Sequence, residues 1–128
     1  MRILLDTHAF LWFLEGSDSL SANARSAIEE PENVVLVSMA SLWEIAIKYS
    51  LGRLDLEQPF GELIPSQIET NGFVLLSLNV SHVSRVAELP FHHRDPFDRM
   101  IVAQSLVEDL PVIGRDEAFD QYGVDRRW

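Results

Sequence analysis

Apolar residues fall into two rhythms along this chain. Short unbroken runs, Ile3 to Leu5, Val34 to Val37, Phe73 to Leu76 and Val112-Ile113, read as strands, the first of them buried, and a further short strand is expected near Val124. Between them lie stretches of helical spacing: Thr7 to Leu14, Ser21 to Glu30, Met39 to Leu51, Phe60 to Thr70, Ser81 to Glu88 and Pro96 to Glu108. Strands alternating with helices predict an α/β protein with a parallel sheet covered on both faces. No repeat, low-complexity tract or long linker interrupts the alternation. At 128 residues, 47% hydrophobic, residues 1–128 suit one domain that buries roughly two thirds of its unfolded surface.

Acidic residues punctuate this pattern. Asp6 ends the first apolar run, Asp98 opens the last helical stretch with Asp95 one turn before it, and Asp116 follows Pro111-Val112-Ile113-Gly114. In an open sheet of this kind, ligands bind in the crevice beyond the carboxyl ends of the strands. Acids placed just after two strands and just inside a helix start can converge there, as a cluster suited to a divalent cation. A plainer reading also accounts for some of them. Asp95 is a good N-cap, Pro96 a good first helical residue, and Asp98 falls where an acid favours the helix dipole. Glu44, inside the helix from Met39 to Leu51, is spaced to pair with Lys48 on an exposed face.

Charge narrows the choice of partners. Twenty acids against ten bases leave a formal net charge of −10, so a polyanion is repelled unless metal and a local basic patch intervene. Lys48 is the only lysine, and Arg94, Arg99 and Arg115 lie beside the candidate acids, either as phosphate contacts or as their salt-bridge partners. The absence of cysteine removes disulfides and thiolate metal sites and fits a reducing compartment. Asp6 and His8 break the N-terminal apolar run, no small-residue cleavage site follows, and no stretch approaches the ~18 apolar residues of a membrane span. A cytoplasmic protein is expected.

Four runs carry a family resemblance: Leu4-Leu5-Asp6-Thr7-His8; Ser41 to Lys48 with Gly52-Arg53-Leu54 after it; His93-Arg94-Asp95-Pro96-Phe97-Asp98-Arg99; and Arg115-Asp116-Glu117-Ala118-Phe119. In this order they resemble the motifs of PIN-domain proteins and, more narrowly, the VapC toxins of VapBC toxin–antitoxin systems. The resemblance implies a three-layer α/β/α domain with a central, mainly parallel sheet and an Mg²⁺- or Mn²⁺-dependent ribonuclease site. Carried over by position, Asp6, Glu44, Asp98 and Asp116 match the family's acidic quartet, and Asp95 matches an extra acid of one subgroup. Gly114 departs from the pattern, which often has Ser, Thr or Asn there. Thr7 can hydrogen-bond near the site or serve only the helix start.

On this resemblance, water aligned by metal attacks an RNA phosphodiester. Asp6, Asp98 and Asp116 are the main metal-site acids, Glu44 acts through water, and Asp95 is an outer ligand. His8, His92 and His93 show no spacing that identifies a general base. A phosphorylation-receiver domain is disfavoured because Thr7 follows Asp6 and no lysine comes late in the chain, and an aspartyl phosphatase because His8 stands where a second acid belongs. A catalytically silent PIN-like module that binds RNA or protein is the alternative. The helices from Thr7 and from Met39 carry more apolar surface than one core needs. Phe10 and Leu14 are expected inside, whereas Trp12, Trp43 and Tyr49 are expected against a homodimer partner and, as the resemblance suggests, an antitoxin segment whose arginine reaches the acids.

Overall fold

The computed structural model describes residues 1–128. Five strands, β1 (Arg2–Leu5), β2 (Val34–Ser38), β3 (Val74–Leu76), β4 (Val112–Ile113) and β5 (Arg126–Arg127), form one sheet in the order β3-β2-β1-β4-β5. Every pairing is parallel. Helices α1 (Thr7–Glu15), α2 (Ala22–Glu29), α3 (Met39–Ser50), α4 (Phe60–Thr70), α5 (Val80–Glu88) and α6 (Pro96–Glu108) lie between the strands, and a 3₁₀ turn at Glu117–Tyr122 precedes β5. The three-layer α/β/α expectation holds, with a sheet that is wholly parallel. No helix is long and apolar enough to cross a membrane.

Strand alternation explains the two core layers. Ile3, Leu5, Val35 and Val37 face Phe10 of α1, Ile28 of α2, Leu42 and Ile45 of α3 and Ile64 of α4. Their neighbours Leu4 and Leu36 point the other way, against Ile101, Val102 and Ala103 of α6 and against Phe119. A strand buried on both faces must be apolar at every position, which is why these runs are continuous. The last strand lies two residues beyond the expected position. Val124 is used instead as a buried core residue, and β5 pairs Arg126 and Arg127 with β4.

The strand order creates one switch point. From β1 the chain steps outward to β2 and β3, then returns to lay β4 on the other side of β1. Leu5 pairs with Ile113, and the Asp6 amide donates to the Ile113 carbonyl at 3.0 Å. The ends of β1 and β4 are therefore level, and the residues that follow each strand enter the same crevice.

Candidate metal centre

Three of the acids use one carboxylate oxygen to start a helix. Oδ1 of Asp6 accepts the Ala9 N–H at 2.7 Å, Oδ1 of Asp95 accepts the N–H groups of Phe97 and Asp98 at 2.8 and 3.1 Å, and Oδ1 of Asp116 accepts the Ala118 N–H at 2.9 Å. Capping and ion binding are thus not exclusive here. Each cap leaves the second oxygen for the crevice, and the helix-end amides hold the carboxylate in a fixed direction.

Glu44 reaches the same place from within α3. The expected pair with Lys48 forms at 2.6 Å, but not on an exposed face: Glu44 is only 3% exposed. Its Oε2 receives the lysine, while Oε1 is buried without any hydrogen-bond partner. The bond to Glu44 raises the Lys48 pKa, against the opposing effect of partial burial. One turn before Glu44, the Ser41 hydroxyl accepts a 2.9 Å hydrogen bond from Thr7, tying α3 to the start of α1.

Burial, reinforced by mutual repulsion, dominates the electrostatics of Asp6 and Asp98. Burial, with the negative charges of Asp98, Asp116 and Glu44 behind it, pushes Asp6 up to about 7 despite the Ala9 N–H. Asp98 is likewise pushed up to about 7, by burial first and then by Asp95, with Glu44 and Asp116 adding to it and His93 opposing. Asp116 behaves oppositely. Although burial works against it, the Ala118 N–H, His93 and Arg126 hold it below the ordinary carboxylate range. Asp6 and Asp98 therefore each feel the charges of Glu44 and Asp116, which come from separate parts of the chain. Asp95 contributes its charge from the edge.

His93 is the residue that sequence reasoning missed. Its Nε2 lies 2.8 Å from Oδ2 of Asp116 and 3.2 Å from Oδ2 of Asp98, so one ring nitrogen bridges two of the acids. The only signal was its place two residues before Asp95, at the head of the motif that carries three of the site's neighbours. Its backbone N–H donates to the Tyr122 hydroxyl at 2.8 Å, and its ring stacks on Phe119 at 6.2 Å.

The three arginines have three different fates, and none forms a salt bridge with a site acid. Arg99, expected beside phosphate, is instead 6% exposed, with its guanidinium donating to the carbonyls of Pro90, Val86 and Leu89 at 2.8, 3.1 and 3.3 Å. That is a correction with a clear cause: its helical position points it inward at the loop leading to His93, which it pins. Arg115 is exposed, and its guanidinium lies 4.6 Å from the centre of the Trp12 ring. Arg94 is exposed beside the site. A recess of about 270 Å³ beside the acids is lined by Asp6, His8, Trp12, Arg115 and Asp116.

The aromatic residues expected at interfaces also differ. Trp43 is 60% exposed, with its ring edge-on to Phe97 at 5.4 Å, and Tyr49 is exposed near the end of α3. Trp12 is half-buried within the chain itself, stacked on His8 and edge-on to Trp128.

Comparison with known proteins gives the family and the fold. Ribonuclease VapC16 of Mycobacterium tuberculosis is 35% identical over 60 residues, which cover 47% of this chain and 43% of that protein, so the match spans less than half the length of the relative. Among solved structures, VapBC2 from Rickettsia felis, bound to a DNA fragment from its promoter, superposes with a TM-score of 0.74 at 11% identity over 99% of this chain and 98% of that one. VapBC-1 from nontypeable Haemophilus influenzae gives a TM-score of 0.68 at 16% identity over 99% and 97%. Both likenesses concern the fold. The model of the PIN domain matches residues 3–125, nearly the whole length, and the chain belongs to the PIN domain family.

Proposed function

We propose that this chain is a divalent-metal-dependent ribonuclease and the VapC-type toxin of a toxin–antitoxin pair. One observation carries the reading: four acids remote in sequence meet at the switch point of the sheet, buried enough that Asp6 and Asp98 are pushed up to about 7. Left ionised without a counter-charge, Asp6 and Asp98 destabilise the fold, which a purely structural set of caps would not require. The donor chemistry fits Mg²⁺ or Mn²⁺, since all four offer hard oxygens and Glu44 Oε1 is buried with no partner of its own. The ribonuclease relative and the toxin–antitoxin folds support the choice of substrate and of biological role.

On this reading, Asp6, Asp98 and Asp116 would hold the ion, with the unpartnered Oε1 of Glu44 acting through water and Asp95 as an outer ligand. When bound, the ion offsets the carboxylate charge and lowers the pKa of the water that attacks the RNA phosphodiester. The chain's own residues do the rest. Helix-end amides aim Asp6 and Asp116 and favour their ionised forms, and Lys48 fixes Glu44 by its other oxygen. Exposed Arg94 and Arg115 meet the phosphates that a protein of net charge −10 otherwise repels.

The partners follow from the same reading: an RNA substrate, a second copy of the chain and a VapB-type antitoxin. An apolar cleft of about 220 Å³, walled by Trp43, Phe97, Leu78 and Met100 close to the acids, supports a partner segment lying there. The test is RNA cleavage by purified protein in Mg²⁺ or Mn²⁺ and in excess EDTA, with Asp98→Asn purified identically. Cleavage confined to the wild type with metal is the expected result. Equal cleavage in EDTA, or by the variant, would overturn the assignment.

A further inference from the structure

His93 sits where a nitrogen ligand for the cation could be sought, because its Nε2 and an oxygen each of Asp98 and Asp116 all lie within 4.8 Å of one another. Its other ring nitrogen argues against that role. The Asp95 backbone N–H donates to His93 Nδ1 at 3.1 Å. A backbone amide only donates, so Nδ1 must present its lone pair, and the ring proton resides on Nε2. A proton on Nδ1 would face the Asp95 N–H head-on. Nε2–H therefore donates to Asp116 Oδ2 at 2.8 Å, with Asp98 Oδ2 3.2 Å from the same nitrogen, and has no lone pair to give to a cation.

We infer that His93 is a positioning residue for the metal-site carboxylates, a hydrogen-bond donor to Asp116 that is locked by the Asp95 amide and presents the same positive N–H edge to Asp98, so that the two acids face one point. The inference rests on the metal-dependent reading above. The two carboxylates come from different elements, the first turn of α6 and the loop after β4, and their like charges drive them apart. The His93 N–H edge lies between them, bonded to Asp116 and 3.2 Å from Asp98 Oδ2. An ionised carboxylate has about four lone-pair sites, so Asp116 can accept from His93 and from Ala118 and still offer lone pairs to an ion. The ring is itself anchored at three points: the Asp95 amide on Nδ1, Phe119 against its face, and the Tyr122 hydroxyl on its backbone N–H. Arg99 supports this arrangement from behind, since its guanidinium holds the carbonyls of Leu89 and Pro90 in the loop that leads to His93. Asp95 thus serves the site through its backbone as well as its charge. It fixes the ring's proton on the side that faces the other acids.

Two measurements test this. In ¹⁵N-histidine-labelled, metal-free protein at neutral pH, the His93 ring should show the Nε2–H tautomer; finding the Nδ1–H form would overturn the inference whatever the metal does. Mn²⁺ affinity, read by calorimetry on wild type, His93→Gln and His93→Ala with melting curves to show that each is folded, tests the role. A glutamine amide can donate from near the Nε2 position but supplies no ring nitrogen. Removal of an outer-sphere partner typically costs roughly 10–100-fold in metal affinity, and that loss is expected for His93→Ala, with most of it recovered in His93→Gln. An equal loss in both variants would make the ring a ligand, and no loss in His93→Ala would leave it without a role. Wild type that binds no Mn²⁺ would overturn the metal-dependent reading and the positioning role together. Normal Mn²⁺ binding with an unaffected His93→Ala would overturn the positioning role alone.

Discussion

Asp6 and Gly114 are in contact: a Cβ built on residue 114 would stand 2.6 Å from Oδ2 of Asp6 and 3.2 Å from Cε2 of Phe119. The glycine that departs from the family's usual Ser, Thr or Asn is therefore matched to this carboxylate. Asp6 cannot simply swing away, because its amide is bonded to the Ile113 carbonyl and its Oδ1 to the Ala9 N–H.

Gly114→Ala should consequently disturb both packing and the site. Overfilling a packed position typically costs about 1–3 kcal/mol, and a loss in that range is expected in urea unfolding, together with weaker Mn²⁺ binding by calorimetry. Wild-type values in both would mean that Asp6 has freedom the geometry denies it.

Stability of the metal-free protein should fall as pH rises. Asp6 and Asp98 are both raised to about 7 in the folded state, against 3.8 for the unperturbed side chain. Between roughly those limits the folded chain binds more protons than the unfolded one, so unfolding free energy declines with increasing pH and levels off above the folded pKa. Melting in EDTA should thus occur at higher temperature in mild acid than above neutrality. Saturating Mg²⁺ or Mn²⁺ should reverse the trend, since the ion binds the ionised acids. A flat or rising EDTA profile across this window would contradict the crowding of these groups.

Replacing Asp98 by asparagine separates stability from activity. The variant removes one charge from the cluster while keeping nearly the same shape beside His93. The metal-free fold should gain on the order of 1–3 kcal/mol at and above neutral pH, with most cleavage lost. If Asp98→Asn instead lowers the metal-free melting temperature, the acid is serving the fold.

The arginines should divide by burial. Arg99→Met strands the carbonyls of Val86, Leu89 and Pro90, and a loss of roughly 2–4 kcal/mol in denaturant unfolding is expected. Arg94→Ala and Arg115→Ala should leave stability within about 0.5 kcal/mol. Each should weaken RNA binding and reduce its salt slope by about one unit or less. A steep salt dependence that survives both exposed variants would place the phosphate contacts elsewhere.

Local pattern in the chain was enough for the α/β class, for each of the six helices to within a few residues, and for the placing of Asp6, Asp98 and Asp116 at element ends. Those features depend on periodicity and on capping chemistry, which neighbouring residues carry among themselves. The cap and the site acid looked like rival roles because a sequence does not divide a carboxylate into its two oxygens, as Asp6 and Asp116 do here. Tertiary structure decided which strands lie side by side. Pairing Leu5 with Ile113 brings Asp6 against Gly114, residues more than a hundred positions apart. It also decided burial, turning Glu44 from an exposed partner of Lys48 into a buried acid with an unpaired oxygen, and Arg99 from a phosphate contact into a clamp on carbonyls. Packing between elements fixes such orientations, and helical periodicity cannot say which arc of a mostly apolar helix such as α3 faces the crevice. His93 lay beyond the reach of any local rule, since its role exists only once α6 and the loop after β4 bring two like charges to the same imidazole N–H.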